Sequence, residues 1–120
     1  LDKFNKFGLV MLDVINRDYC KKLLVVLPKQ YHPEQMHKKK EETFHILHGS
    51  VDLIINGKSR LLKSGDVVTI LKKQKHAFSS EKGAIIEEIS STHYKNDSFY
   101  TDQRIMKNNN RKTVLTYWME

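Results

Sequence analysis

A chain of 120 residues, 39% of them hydrophobic and 29% charged, has the size and balance of one globular domain around a single core. No apolar run approaches the roughly 20 residues needed to cross a bilayer as a helix, and the lone cysteine, Cys20, excludes an internal disulfide and fits a reducing, cytoplasmic setting. The formal charge of +7 is dispersed over Lys21-Lys22, residues 38–40, Lys72-Lys73, Lys75 and Arg111-Lys112 without aromatic interleaving, which argues for a solvated lysine surface and against nucleic-acid binding.

Short aliphatic and β-branched segments alternate with turn signals, the pattern of an all-β sandwich or barrel. Residues 9–15 and 19–27 flank Asn16-Arg17-Asp18, a hairpin turn, and Pro28 closes the second strand. The run 23–27, bounded by Lys22 and Pro28, is the longest apolar stretch and reads as a buried strand. Around residues 35–37 a strand places Gln35 and His37 on one face and Met36 on the other. Segments 43–47 and 51–55 follow, separated by Gly49, and then Asn56-Gly57, the preferred pair for a type I′ hairpin because both positions need positive φ. Residues 59–62 form the return strand, Ser64-Gly65-Asp66 the next turn, and 67–71 another strand. Segments 76–80 and 84–90 are expected to pair around Glu81-Lys82-Gly83. After polar loops at 96–98 and 108–110, residues 113–119 make a terminal strand placed to cover a sheet edge or meet another subunit, with Tyr117-Trp118 the candidate anchor of a homodimer.

All six histidines fall between His32 and His93, which confines the chemistry to the middle of the chain. His37 shares its strand face with Gln35, Glu42 opens the next apolar strand, and His76 opens a strand some thirty residues later. Imidazole and carboxylate together suit a divalent Mn, Fe, Zn, Ni or Co ion better than calcium, and the absence of cysteine from the set argues against a structural zinc. His45 lies opposite Glu42 by parity and is read as surface; His48, just before Gly49, is read as a turn residue.

His37, Glu42 with Gly49 seven positions on, and Gly65-Asp66 leading to His76 resemble the cupin superfamily. Its first motif runs His-x-His, a Glu and then a Gly; its second begins Gly-Asp and ends on a third histidine. The resemblance spans roughly residues 23–90 and implies a cupin double-stranded β-helix, a jelly-roll barrel, with a divalent metal held by Gln35, His37, Glu42 and His76. Gln35 stands where the family has its first histidine and is a weaker donor, and the proline and glycine of the second motif are replaced near Leu71 and Lys73. His32 is the other candidate for the missing nitrogen, although a regular strand puts it on the opposite face from Gln35.

Within the cupins, the stretch 37–42, the stretch 87–90 and Asn96-Asp97 look most like small sugar isomerases of the D-lyxose ketol-isomerase type. That resemblance implies Lys40 and Glu88 as the catalytic pair acting on a small-molecule sugar or sugar phosphate. Glu88 would be the base and Lys40 the group that donates to, or stabilises, an enediolate oxygen, with both pKa values tuned toward neutrality. Strand parity leaves Glu87 and Glu88 as alternatives, and the resemblance selects Glu88. His93, Tyr94, Asp97 and Tyr100 are candidates for a lid or sugar-contacting loop. Leu27-Pro28, Gln30, His32-Pro33 and residues 92–98 are also similar to cupin domains attached to sialic-acid-synthase-like enzymes. This implies an alternative function, a non-catalytic sugar-binding, regulatory or dimerisation module, and together with a first residue other than Met it suggests that the single domain 1–120 is cut from a longer polypeptide.

Overall fold

The computed structural model describes residues 9–101 and the backbone of 112–116. Its regular elements are all strands: β1 (Leu9–Asn16), β2 (Tyr19–Val26), β3 (Tyr31–Met36), β4 (Glu42–Ile55), β5 (Lys58–Lys63), β6 (Val67–Ile70), β7 (His76–Ser79), β8 (Ala84–Ser91), β9 (Phe99–Tyr100) and β10 (Lys112–Thr116). Among the described residues, no helix is long and apolar enough to cross a membrane.

Strand β4 organises the barrel. Its first half pairs with β8 and β6, and its second half, from Ser50 on, pairs with β5 and β7. One sheet therefore runs β10-β1-β2-β8-β4-β6 and the other β5-β4-β7-β3-β9, the two halves of a double-stranded β-helix. Spacing alone suggests a break at Gly49, yet one 14-residue strand runs through it. The register against β8 slips between Ile46 and His48, and Gly49 takes φ +81°. A Cβ at Gly49 would stand 2.3 Å from the Gly83 carbonyl oxygen, so glycine is what lets one strand leave the first sheet and enter the second.

The expected hairpin of 76–80 with 84–90 does not form. β7 pairs with β3 and β4, β8 pairs with β2 and β4, and the residues between them carry the chain from one sheet to the other. A polar turn between two apolar runs marks a reversal or a corner equally well, and only long-range pairing decides. By contrast Asn56 and Gly57, at φ +49° and +81°, make the expected tight hairpin from β4 to β5. The terminal strand also covers an edge, β10 lying parallel to β1; Tyr117 and Trp118 lie outside the described residues.

Against β7, the register of β3 moves from His32↔Phe78 to Gln35↔His76, so β3 spends one residue more than its partner. The irregularity reverses parity, and His32 and Gln35 both end up buried, which a regular strand forbids. Inside the barrel, Phe44 meets Phe78 edge to face at 5.4 Å and ties the two sheets together. Full burial of side chains of this size contributes roughly 1.5–3 kcal/mol each. Toward one end of the barrel the buried rows turn polar: Val26 and Leu24 give way to Lys22 on β2, Ile86 to Glu88 on β8, and Ile46 and Phe44 to Glu42 on β4. Cys20 is buried in the same row of β2, a packed thiol.

Candidate metal centre

Three elements bring the donor groups together. His37 follows β3 directly, Glu42 opens β4 and His76 opens β7, and one ligand atom from each lies within 4.8 Å of the other two. All three residues are buried, Glu42 and His76 almost completely. Glu42 Oε1 stands 3.0 Å from His76 Nε2 and 3.7 Å from His37 Nε2, with the imidazole centroids 5.3 Å apart.

The orientation of each ring is held from outside the cluster. His37 Nδ1 donates to the Asp97 carbonyl at 2.9 Å and His76 Nδ1 to the Gln74 carbonyl at 3.0 Å. With Nδ1 carrying the hydrogen, the lone pair of each neutral ring sits on Nε2 and points inward, the arrangement that backbone acceptors impose on metal-binding histidines. Glu42 Oε1, His76 Nε2 and Gln35 Oε1 are buried without a well-aligned hydrogen bond. Imidazole nitrogens and a carboxylate converging this closely fit a divalent cation of the Mn, Fe, Zn, Ni or Co group, which would replace a proton held between His76 Nε2 and Glu42 Oε1. Gln35 lies across from His76 in the β3–β7 register, and its amide nitrogen is 3.5 Å from His32 Nε2. The His32 ring itself stacks on Phe78 at 4.7 Å, a packing role in the barrel wall.

Burial pushes the His37 pKa down to about 4, since the nearby Glu42 carboxylate only partly offsets the loss of solvent. His76 goes the other way: burial would lower it, but hydrogen-bonding contact with Glu42 and its negative charge raise it. Burial would raise Glu42, yet His76 and the positive charge of Lys40 hold it well below the usual carboxylate range.

Lys40 and Glu88 meet beside this centre. Of the run 38–40, Lys38 sits over the Phe99 ring at 4.5 Å and Lys39 over the Tyr94 ring at 4.9 Å, while Lys40 turns inward and is buried. Its Nζ donates to Glu88 Oε2 at 3.1 Å and reaches Glu42 Oε2 at 3.3 Å and His93 Nδ1 at 3.3 Å. Glu42 thus offers one oxygen to the imidazoles and the other to the ammonium. Burial and the neighbouring Glu42 charge raise the Glu88 pKa. For Lys40 the expectation of a pKa lowered toward neutrality is reversed: burial lowers it, but Glu88 and Glu42 outweigh burial and hold it protonated. Glu87, the alternative to Glu88, faces outward to Lys21 at 3.0 Å and His45 at 3.2 Å. His45 is on that outer side and His48 is exposed, so neither reaches the cluster.

The 92–101 segment closes this end of the barrel in a different way from a free lid. Asp97 is buried, and its carboxylate accepts the backbone N–H of Lys38 at 2.9 Å and of Lys39 at 3.1 Å. It is a clamp on the loop that carries Lys40, and its own carbonyl orients His37. Asn16 holds the His93 backbone through both N–H and C=O at 2.9 and 3.0 Å. Tyr94 is largely exposed, and the Tyr100 ring lies 6.2 Å from His32. Lys22 is the buried residue that sequence reasoning passed over. Strict alternation with Cys20, Leu24 and Val26 on β2 was the available signal, and it places Lys22 in the wall of a cavity of about 20 Å³ shared with His37, Lys40, Glu42 and Glu88.

A barrel of this topology with a buried His/Glu cluster at one end defines the class. The chain belongs to the cupin family, and the cupin domain model matches residues 22–87. Within it the chain is 31% identical to a D-lyxose/D-mannose isomerase of Thermosediminibacter oceani, over 83% of this chain and 71% of that protein. It is 30% identical to a D-lyxose ketol-isomerase of a Thermofilum species, over 84% and 72%. Among solved structures, the L-ribose isomerase of Cellulomonas parahominis with L-ribose superposes with a TM-score of 0.77 at 13% identity, covering 93% of this chain and 77% of that one. KdgF from a Halomonas species superposes at 0.66 and 14% identity, over 72% and 80%. At these identities the structures establish the shared double-stranded β-helix.

Proposed function

We propose that this protein is a metal-dependent aldose–ketose isomerase acting on a small sugar, with His37, Glu42 and His76 as metal ligands, Gln35 as the fourth, and Lys40 and Glu88 as the catalytic pair. The observation that carries the reading is Lys40 Nζ, buried between Glu88 at 3.1 Å and Glu42 at 3.3 Å, so that an ammonium links an acid–base carboxylate to a ligand carboxylate. The D-lyxose isomerase relatives support the sugar as substrate class.

A divalent cation in this cluster would supply a Lewis acid for the carbonyl and the adjacent hydroxyl of the sugar. Glu88, whose pKa is raised by burial and by Glu42, takes the proton from C2 as carboxylate and returns it to C1 as carboxylic acid. Lys40 stays an ammonium. It gives one N–H proton to O1 while accepting the O2 proton, so its charge is unchanged and the developing negative charge lies against it. Protons balance over the cycle, and no other reactant is required. A cavity of about 20 Å³ takes an ion or a water, so a sugar enters only where part of the lining gives way, and its loop side carries the partly buried His93 and Ser98.

The test is metal analysis of the purified protein followed by an aldose–ketose interconversion screen. Wild type is expected to carry or take up a divalent metal and to turn over a pentose or hexose; Glu88→Gln keeps the metal and loses turnover by at least about a hundred-fold. His76→Ala is expected to lose both. Metal and sugar binding without turnover in wild type would replace the isomerase with the non-catalytic sugar-binding module of a sialic-acid-synthase-like enzyme.

A further inference from the structure

Across the first sheet, Asp13 on β1, Lys22 on β2 and Glu88 on β8 are direct cross-strand partners. Lys22 is 3% exposed and lines the cavity beside Glu88. Among the described residues its nearest opposite charge is Asp13 Oδ1 at 3.8 Å, beyond hydrogen-bond length. This is the one ion pair of the Lys22 ammonium among the described residues, and Asp13 Oδ1 is buried without a hydrogen bond. A buried ammonium carries three donors and a carboxylate oxygen accepts two or more, so facing each other across such a gap they select a group that donates and accepts at once.

We propose that Lys22 and Asp13 form a hydroxyl-reading subsite for the end of the sugar remote from the reacting carbons. This rests on the isomerase reading only for which end of the sugar the subsite reads. A sugar hydroxyl accepts from Lys22 Nζ and donates to Asp13 Oδ1, which satisfies both charged groups. The position suits the remote end: β4 carries Glu42, β8 carries Glu88, and β2 and β1 follow in order, so Lys22 lies one strand beyond the base from the candidate metal centre. Neighbouring strands are about 4.8 Å apart, so two strand spacings, roughly 10 Å, separate β4 from β2, within reach of a five-carbon chain plus a lysine. A phosphate is a poor occupant because the Asp13 carboxylate lies against the same ammonium and would repel it. The pair therefore selects a neutral polyol end over a phosphorylated one.

The test is calorimetric binding of xylitol, ribitol and D-arabinitol, with their 5-deoxy and 5-phosphate derivatives, to the metal-loaded protein, for wild type, Lys22→Met and Asp13→Asn. For the best-bound pentitol, wild type is expected to bind the parent about ten- to a hundred-fold more tightly than the deoxy or the phosphate form. Each variant is expected to lose most of that discrimination by weakening the parent and leaving the deoxy form nearly unchanged. A role confined to structure would weaken parent and deoxy forms together, and that result overturns the proposal, as does tight phosphate binding. Asp13 is partly exposed, so Asp13→Asn decides the matter by itself if Lys22→Met does not fold. Pentitol discrimination without isomerase turnover keeps the subsite and removes the isomerase reading; turnover without discrimination does the reverse.

Discussion

Removing the Asp97 carboxylate should loosen the one loop on which the site depends. Its two oxygens receive the Lys38 N–H at 2.9 Å and the Lys39 N–H at 3.1 Å to each oxygen, and the same residue's carbonyl receives His37 Nδ1–H at 2.9 Å. Hydrogen bonds to a charged acceptor are worth about 1.5–3 kcal/mol each, so two stranded amides correspond to about 3–6 kcal/mol. Lys38 and Lys39 are exposed, and water reaching their amides recovers part of this, leaving an expected loss of about 2–4 kcal/mol for Asp97→Ala. In a domain of this size that is a fall in Tm of roughly 10–15 °C. Asp97→Asn keeps an acceptor oxygen and loses the charge, and should cost about half as much. Because the loop also carries Lys40 and the Asp97 carbonyl fixes the His37 ring, metal affinity should fall by about ten- to a hundred-fold in Asp97→Ala. Urea denaturation and metal titration read the two effects. If Asp97→Ala is as stable as wild type within about 0.5 kcal/mol and binds metal equally well, the clamp is not what holds the loop.

Gln35→His should tighten metal binding by about ten-fold, since imidazole is the better donor and Gln35 Oε1 is buried without a partner; unchanged affinity would remove residue 35 from the ligand set. Metal uptake should release protons at pH values up to the raised folded pKa of His76, which Glu42 lifts above the ordinary imidazole range, whereas His37, at about 4, is already neutral. In the metal-free protein the bound proton on His76 adds stability that is fully present below the ordinary imidazole pKa of about 6.5 and is lost as pH rises through the folded value. Metal affinity should therefore increase over that rise and level off above it, and an affinity flat from about pH 6 to pH 9 in calorimetry would contradict the assignment. Gly49→Ala should destabilise the barrel by about 3 kcal/mol or more, because φ +81° is costly for alanine and its Cβ would overlap the Gly83 carbonyl; a Tm within about 3 °C of wild type would show that the corner can relax.

Alternation and turn chemistry made most of the strands legible, because each depends on neighbours a few residues apart. The Asn56-Gly57 hairpin follows from turn chemistry and the separation of Gln35 and His37 from Met36 from a period of two, whereas parity alone left Glu87 and Glu88 open on β8. The clustering of His37, Glu42 and His76 was legible for a related reason: the three keep the spacing of a cupin motif, and spacing within a strand or from a turn is a local quantity. Other features were settled by partners far along the chain. The slip in β3 turned His32 and Gln35 to the same side, since parity after an irregularity depends on what β7 offers opposite. The 76–90 region became a corner, and β4 stayed continuous through Gly49, because the second sheet closes over the first. Asp97 reads as a loop carboxylate until the amides of Lys38 and Lys39 lie beneath it, and Lys22 reads as a surface charge until Asp13 and Glu88 flank it. The charge state of Lys40 is of the same kind. Burial alone would have lowered its pKa, and only two carboxylates arriving from β4 and β8 raise it, an electrostatic sum over distances that no order of residues along a chain specifies.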